Sequence, residues 1–137
     1  MAGASTDIKD ILEAESSLGL SFGDDLVIGL LPTSPDSCVA IMPTSGPGPD
    51  LTFNTDEKYM YPSVQIQVRK NASGTGFTDA EDLMYSIKDL LHGRANETWN
   101  GSRYIVVVCT TEPAVLKYDE NNRVIFFANF EMQREPN

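Results

Sequence analysis

The sequence predicts an α+β fold over residues 1–137, with two helices packed on an antiparallel or mixed sheet. Three observations lead there. Apolar residues recur at helical spacing in two segments, near residues 6–18 and 78–91. Elsewhere they alternate with polar residues or form short apolar runs, as strands do. The resulting order is helix, strands, helix, strands, without the regular alternation of a parallel α/β protein. A chain of 137 residues suits one domain, and about two-thirds of its unfolded surface can be buried without help from metal or disulfide.

The elements follow in order. Thr6 is the expected cap of a first helix, with Asp7 and Asp10 near the positive end of its dipole. Ile8, Ile11, Leu12 and Leu18 form its apolar stripe, and Gly19 is the expected stop. "DLVIGLLP" (Asp25 to Pro32) and "SCVAIMP" (Ser37 to Pro43) read as short buried strands joined through "TSPD" as a hairpin. A long irregular loop follows at about 43–62, rich in proline and glycine, with a short strand expected at Leu51–Phe53. Loops this long in a small domain are usually functional or mobile.

Val64, Ile66 and Val68 then alternate with Gln65, Gln67 and Arg69, the pattern of a strand with one buried face. Thr78 to Leu91 is the clearest helix. Thr78 and Glu81 have capping-box spacing, Ala80, Leu83, Met84, Ile87, Leu90 and Leu91 share one face, and Gly93 ends it. Asn100-Gly101 signals a tight hairpin. "RYIVVVCT" is apolar on both faces, so a central strand covered on both sides is expected. "EPAVLKY" is a shorter run and "DENNR" a turn. In "VIFFANFEM", Val124, Phe126, Ala128, Phe130 and Met132 share a face.

Charge limits the function. The net charge is −10, and residues 1–57 hold ten acids and one base, Lys9. A general basic surface for a DNA backbone is therefore excluded. The acidic part suits a wall that repels DNA, a basic protein partner, or a solvated face that aids solubility. No stretch approaches the ~18 apolar residues of a membrane span, and the N-terminal residues show no signal-peptide pattern.

Catalytic signatures are missing. "VQIQVRKNASGTGFTDAED" (Val64 to Asp82) has the strand, glycine loop and helix start of a phosphate site. It has neither GxGxxG nor GxxxxGK, and Asp79, Glu81 and Asp82 would repel a phosphate at that helix start. Gly74 and Gly76 then read as a flexible connection. Cys38 and Cys109 lie in apolar runs without CxxC partners, which indicates buried thiols. His92 ends the second helix, where a cation meets the last carbonyls favourably. No HExxH, EF-hand or Cys/His cluster is present, so no metal and no cofactor is expected. Three Asn-x-Ser/Thr sequons begin at Asn71, Asn96 and Asn100, each in an expected turn.

"YMYPSVQIQVRK", "DAEDLMYSIKDLLHG" and "YIVVVCTTEPAVLKYDENNRVIFFANFEM" in this order resemble the tail terminator, or minor capsid, proteins of long-tailed bacteriophages. The resemblance runs over about residues 8–132 and is strongest from residue 59. It rests on Arg69, Asp79, Leu91, Gly93, Pro113, Leu116, Asp119, Glu120, Arg123, Asn129 and Phe130.

The resemblance implies a non-enzymatic virion subunit, assembled in the host cytoplasm, that forms a homohexameric ring. Such a ring caps the tail tube and joins it to the head-tail connector, with DNA passing through its lumen. Subunit contacts are then expected at Arg69 and Lys70 at the strand end, and at Asp119, Glu120 and Arg123 in the late turn. Solvated charges or weak intrachain pairs are the alternative for these five residues. The alternatives for the whole chain are another neck or tail-tube subunit, or a small-molecule binder or enzyme.

Overall fold

A computed structural model of the protein describes residues 1–50 and 59–135. The two helices are α1 (Ala4–Ala14) and α2 (Gly76–Leu91), and the strands are β1 (Leu26–Ile28), β2 (Cys38–Thr44), β3 (Ser63–Asn71), β4 (Ala95–Trp99), β5 (Ser102–Cys109), β6 (Ala114–Tyr118) and β7 (Arg123–Arg134). They form one mixed sheet in the order β1-β2-β3-β7-β5-β4, with β6 also on β7. The α+β fold with two helices on a mixed sheet is thus the one the sequence predicts.

The core lies between the helices and one face of the sheet. Val64, Ile66 and Val68 of β3 and Val124, Phe126, Ala128, Phe130 and Met132 of β7 are buried there with Ile8, Ile11, Leu12, Ala80, Met84, Ile87 and Leu91. Strand alternation supplies one wall, and the stripes of both helices supply the other. Leu83 and Leu90 of α2 pack only on the rim of this core.

Several expectations change. α1 begins two residues before Thr6, because Ala4 is buried and extends the apolar stripe; the Thr6 N–H donates to the Gly3 carbonyl at 3.1 Å inside the first turn. Leu18 belongs to a separate 3-10 turn, Ser16–Leu18, and Gly19 closes that turn at φ 66°. α2 begins at Gly76, so Thr78 is not its cap, and no side chain caps its first amides. The Thr75 hydroxyl donates instead to the Asp79 carboxylate at 2.9 Å.

β1 and β2 are parallel, with Leu26 opposite Val39, and do not form the expected hairpin. Gly29, at φ 106°, ends β1 early, and Leu30 is 82% exposed. Residues 29–37 form a short crossover, called the strap below. β5 is not covered on both faces. It lies between β7 and β4, with Tyr104 and Val107 buried and Ile105, Val106 and Val108 half-buried. The central strand is β7, paired with β3 along one edge.

The other edge of β7 is shared. β5 pairs with its last part and β6 with its first, both antiparallel, so β5 and β6 run end to end in one direction. At the gap, the Asn129 N–H donates to the Thr111 hydroxyl at 2.9 Å and the Thr110 N–H to the Asn129 carbonyl at 2.9 Å. β6 and the start of β7 therefore form a hairpin arm turning at 119–122. The Asn100-Gly101 turn is as expected, with φ 50° and 83°. Pro43 and Thr44 extend β2 into the segment read as irregular, and the strand expected at Leu51–Phe53 lies outside the described residues.

Candidate functional site

Two buried arginines build the most organised surface feature. Arg69 ends the core part of β3 and Arg123 starts β7, and the two strands are adjacent. Arg69 donates from Nη2 to the Pro35 carbonyl at 2.7 Å and from Nε to the Asp36 carbonyl at 3.2 Å. Arg123 donates from Nη1 to the Thr33 carbonyl at 2.5 Å and from Nε to the Asp119 carboxylate at 2.7 Å. A weaker ion pair joins Arg123 to the exposed Asp36 carboxylate at 3.4 Å. These bonds hold the strap against the helix-free side of the sheet and hold the arm's turn at its base.

The electrostatics follow from the packing. Burial lowers the Arg69 pKa, and the neighbouring Arg123 charge adds to that. Burial opposes the Asp119 carboxylate, but the Arg123 amide and guanidinium and the Asn121 amide outweigh it and hold its pKa below the usual range.

A concavity of about 380 Å³ opens between strap and arm, with Arg69, Asp119, Glu120 and Arg123 in its wall beside Leu30 and Leu116. Four of the five residues expected at subunit contacts are thus brought together. Lys70 is not among them; it faces the helix side, in a separate depression with Leu18, Asp25 and Leu83. Arg69 and Arg123 are 3% and 5% exposed, and each directs two of its guanidinium nitrogens to partners within the chain.

A second polar cluster was not legible in the sequence. Asp7 of α1 is fully buried. It accepts a hydrogen bond from Asn100 at 2.6 Å and a short one from the Tyr104 hydroxyl, and it lies 3.4 Å from Arg134. Arg134 also donates to the Ala2 carbonyl at 3.0 Å. Burial first, and the bond to Asp7 second, raise the Tyr104 pKa. This cluster ties the N-terminal helix to β5 and β7. The one available signal was position: Asp7 precedes Ile11 by one helical turn and so shares its inward face.

The loop that resembled a phosphate site has another explanation. A Cβ on Gly76 would lie 1.6 Å from the Asn71 carbonyl oxygen, so Gly76 is needed for close approach of α2 to the end of β3, not for a flexible connection. Gly74, at φ 63°, takes the left-handed turn between them. His92 Nδ1 accepts a hydrogen bond from the Cys109 N–H at 2.9 Å, which ties the end of α2 to β5. Burial raises the pKa of both Cys38 and Cys109, the opposite of an activated thiolate. Among the described residues, no group of three or more His, Cys, Asp or Glu is placed to hold a metal ion, and no helix is long and apolar enough to cross a membrane.

Comparison with known proteins agrees with this architecture. A solved chain from the virion of a native gene transfer agent particle is similar over 96% of this chain and 94% of its own, with a TM-score of 0.66 and 16% identity. A second solved chain is similar over 98% of this chain and 93% of its own, with a TM-score of 0.53 and 13% identity. At these identities the likeness is one of fold. No curated protein matches the sequence. A family model described as bacteriophage tail terminator protein matches residues 9–136, nearly the whole chain. The protein is therefore a member of the bacteriophage tail terminator family, a structural tail component of the phage virion.

Proposed function

We propose that this chain forms a homohexameric ring that ends the tail tube and joins it to the head-tail connector, with DNA passing through the lumen. The family match over residues 9–136 carries this reading. The charge distribution supports it: a surface enriched in acids, with a net of −9 in residues 1–57, keeps DNA from adhering to the wall it passes. The raised thiol pKa values and the acid-lined start of α2 support a structural role over an enzymatic one.

In this ring, Asp119 and Glu120 contact a neighbour from the wall of the concavity. Arg69 and Arg123 contribute by fixing the strap and the turn, and Lys70 contributes from the opposite face. The test is mass measurement and negative-stain imaging of the purified protein, alone and with tail tubes. Rings, or particles bound only at tube ends, are expected. Incorporation along the tube would assign the protein to the tube wall, and a strict monomer indifferent to tubes would refute the ring.

A further inference from the structure

Arg69 carries a buried charge that the chain does not pair. It is 3% exposed, and among the described residues it makes no ion pair. Its hydrogen bonds go to the neutral carbonyls of Pro35 and Asp36. Buried cations are normally paired, because burial without an anion is costly. The charge that acts most strongly on Arg69 is another cation: repulsion by Arg123 exceeds the attraction of either Asp119 or Asp36. Each guanidinium also keeps one nitrogen free. Arg69 Nη1 and Arg123 Nη2 have no hydrogen-bond partner among the described residues. They are not sealed from water either, since the fully buried, unpartnered side-chain atoms among those residues are Ser102 Oγ and Arg134 Nε. The opening that both arginines line is the concavity between strap and arm.

The rest of the lining narrows the chemistry of a ligand. The volume of about 380 Å³ is at the small end for ligand sites and suits a compact molecule. Leu30, Leu31, Pro32, Met42, Leu116 and Ile125 give it apolar walls. Guanidinium forks match the planar oxygens of a carboxylate. Lys117 adds a third cation to the wall. Asp119 is the opposing charge nearby, but its carboxylate already accepts from Arg123 Nε and from the Asn121 and Arg123 amides. Glu120 lies in the same wall, and the Asp36 side chain, 59% exposed, stands beside Arg123. These acids repel a doubly charged phosphate about twice as strongly as a singly charged carboxylate.

We infer that the concavity is a binding site for a carboxylate carried on an apolar body, with Arg69 Nη1 and Arg123 Nη2 donating to the carboxylate oxygens. The apolar body lies against Leu30 of the strap and Leu116 of the arm. The ligand thus supplies the anion that Arg69 lacks and bridges the two elements on either side of the concavity. This site is independent of the ring reading above.

The experiment is titration of the full chain with hexanoate at constant ionic strength, followed by heteronuclear NMR. Hexanol and inorganic phosphate are the comparison probes. Hexanoate is expected to half-saturate the site at about 1 mM. It should shift the amides of Leu31, Thr33, Gln67 and Lys117 and the Nε–H signals of both arginines. Hexanol, which lacks the charge, and phosphate, which lacks the apolar body, are each expected to bind at least about tenfold more weakly. Hexanol binding as well as hexanoate would reveal an apolar groove without an anion site and overturn the inference. Phosphate binding as well as hexanoate overturns it too, since the apolar walls then select nothing. No shift by about 20 mM hexanoate leaves the arginines as clamps of the strap alone and also overturns it. Arg69→Gln is expected to weaken hexanoate at least about tenfold. If that variant fails to fold, Leu116→Asp decides, because Leu116 is 41% exposed and its replacement puts a negative charge in the wall; it should weaken hexanoate by a similar factor. Unchanged hexanoate binding in a folded variant of either kind overturns the site.

Discussion

Substituting Gly76 by alanine tests how α2 is seated. A Cβ there would lie 1.6 Å from the Asn71 carbonyl oxygen and 2.8 Å from its carbon. A relaxed carbon–oxygen contact is about 3.3 Å or more, so the two elements must separate by roughly 1.7 Å. Neither moves freely. Asn71 is paired with Arg123, and the Ala72 N–H donates to the Asn122 carbonyl at 3.0 Å. On the other side, Ala80 and Met84 are fully buried one and two turns along α2. Overpacking that forces backbone shifts costs about 1–3 kcal/mol, and this displacement belongs at the upper end. Alanine recovers about 1 kcal/mol of helix propensity over glycine. The clash wins by about 2 kcal/mol, a fall in Tm of about 5–10 °C for a chain of this size. Thermal unfolding followed by far-ultraviolet circular dichroism measures it. Gly74→Asn is the contrast, since nothing lies within 4 Å of that position and asparagine tolerates positive φ. A Gly76→Ala variant as stable as the wild type would falsify the close-approach argument and return Gly76 to a flexible linker.

Two further outcomes can be read in denaturation experiments. Asp7→Ala leaves Arg134 buried without its carboxylate and is expected to cost about 3–5 kcal/mol in urea unfolding. Tyr104→Phe removes one donor to Asp7 and one acceptor for Arg134 but keeps the charge pair, and is expected to cost about 1–2 kcal/mol; equal losses in the two variants would show that the charge is not the decisive element. Acid behaviour depends on Glu135, whose carboxyl pKa is lowered chiefly by its hydrogen bonds to Arg103. A lowered folded pKa stabilises above the unfolded value, near pH 4, and that stability is lost as pH falls through the folded pKa. Glu135→Gln should therefore lose less Tm than the wild type between pH 6 and pH 3; an equal or larger loss contradicts the assignment.

The parts of the fold that were legible are those where one local pattern decides the outcome. Val64, Ile66 and Val68 of β3 and Val124, Phe126, Ala128, Phe130 and Met132 of β7 recur at every second position because one face of each strand packs on the helices, and α2 carries an apolar stripe long enough to outweigh its uncapped start. Asn100-Gly101 makes its turn because both residues accept positive φ. The direction of β1 was not legible. Short apolar runs joined by turn residues suit either pairing, and the strap is held by Arg69 and Arg123, which lie 34 and 90 residues from their carbonyl partners. The same distance effect concealed the roles of these arginines: a charge at a strand end reads as surface until the strap covers it. Asp7 read as a dipole partner because Tyr104 and Arg134, which make its burial tolerable, are far away in the chain. β5 looked central because its sequence is apolar on both faces, yet helices cover only one.

The continuity of β7 has a mechanical consequence. It is one uninterrupted strand from the arm's turn to the last described part of the sheet, and it is paired with β3 along most of its length. A pull applied to the arm along the strand axis would load those β3–β7 hydrogen bonds together, in shear, instead of opening them singly as a zipper. Tension on the arm would thereby be distributed into the core, while the turn anchored by Arg123 would resist peeling at its free end.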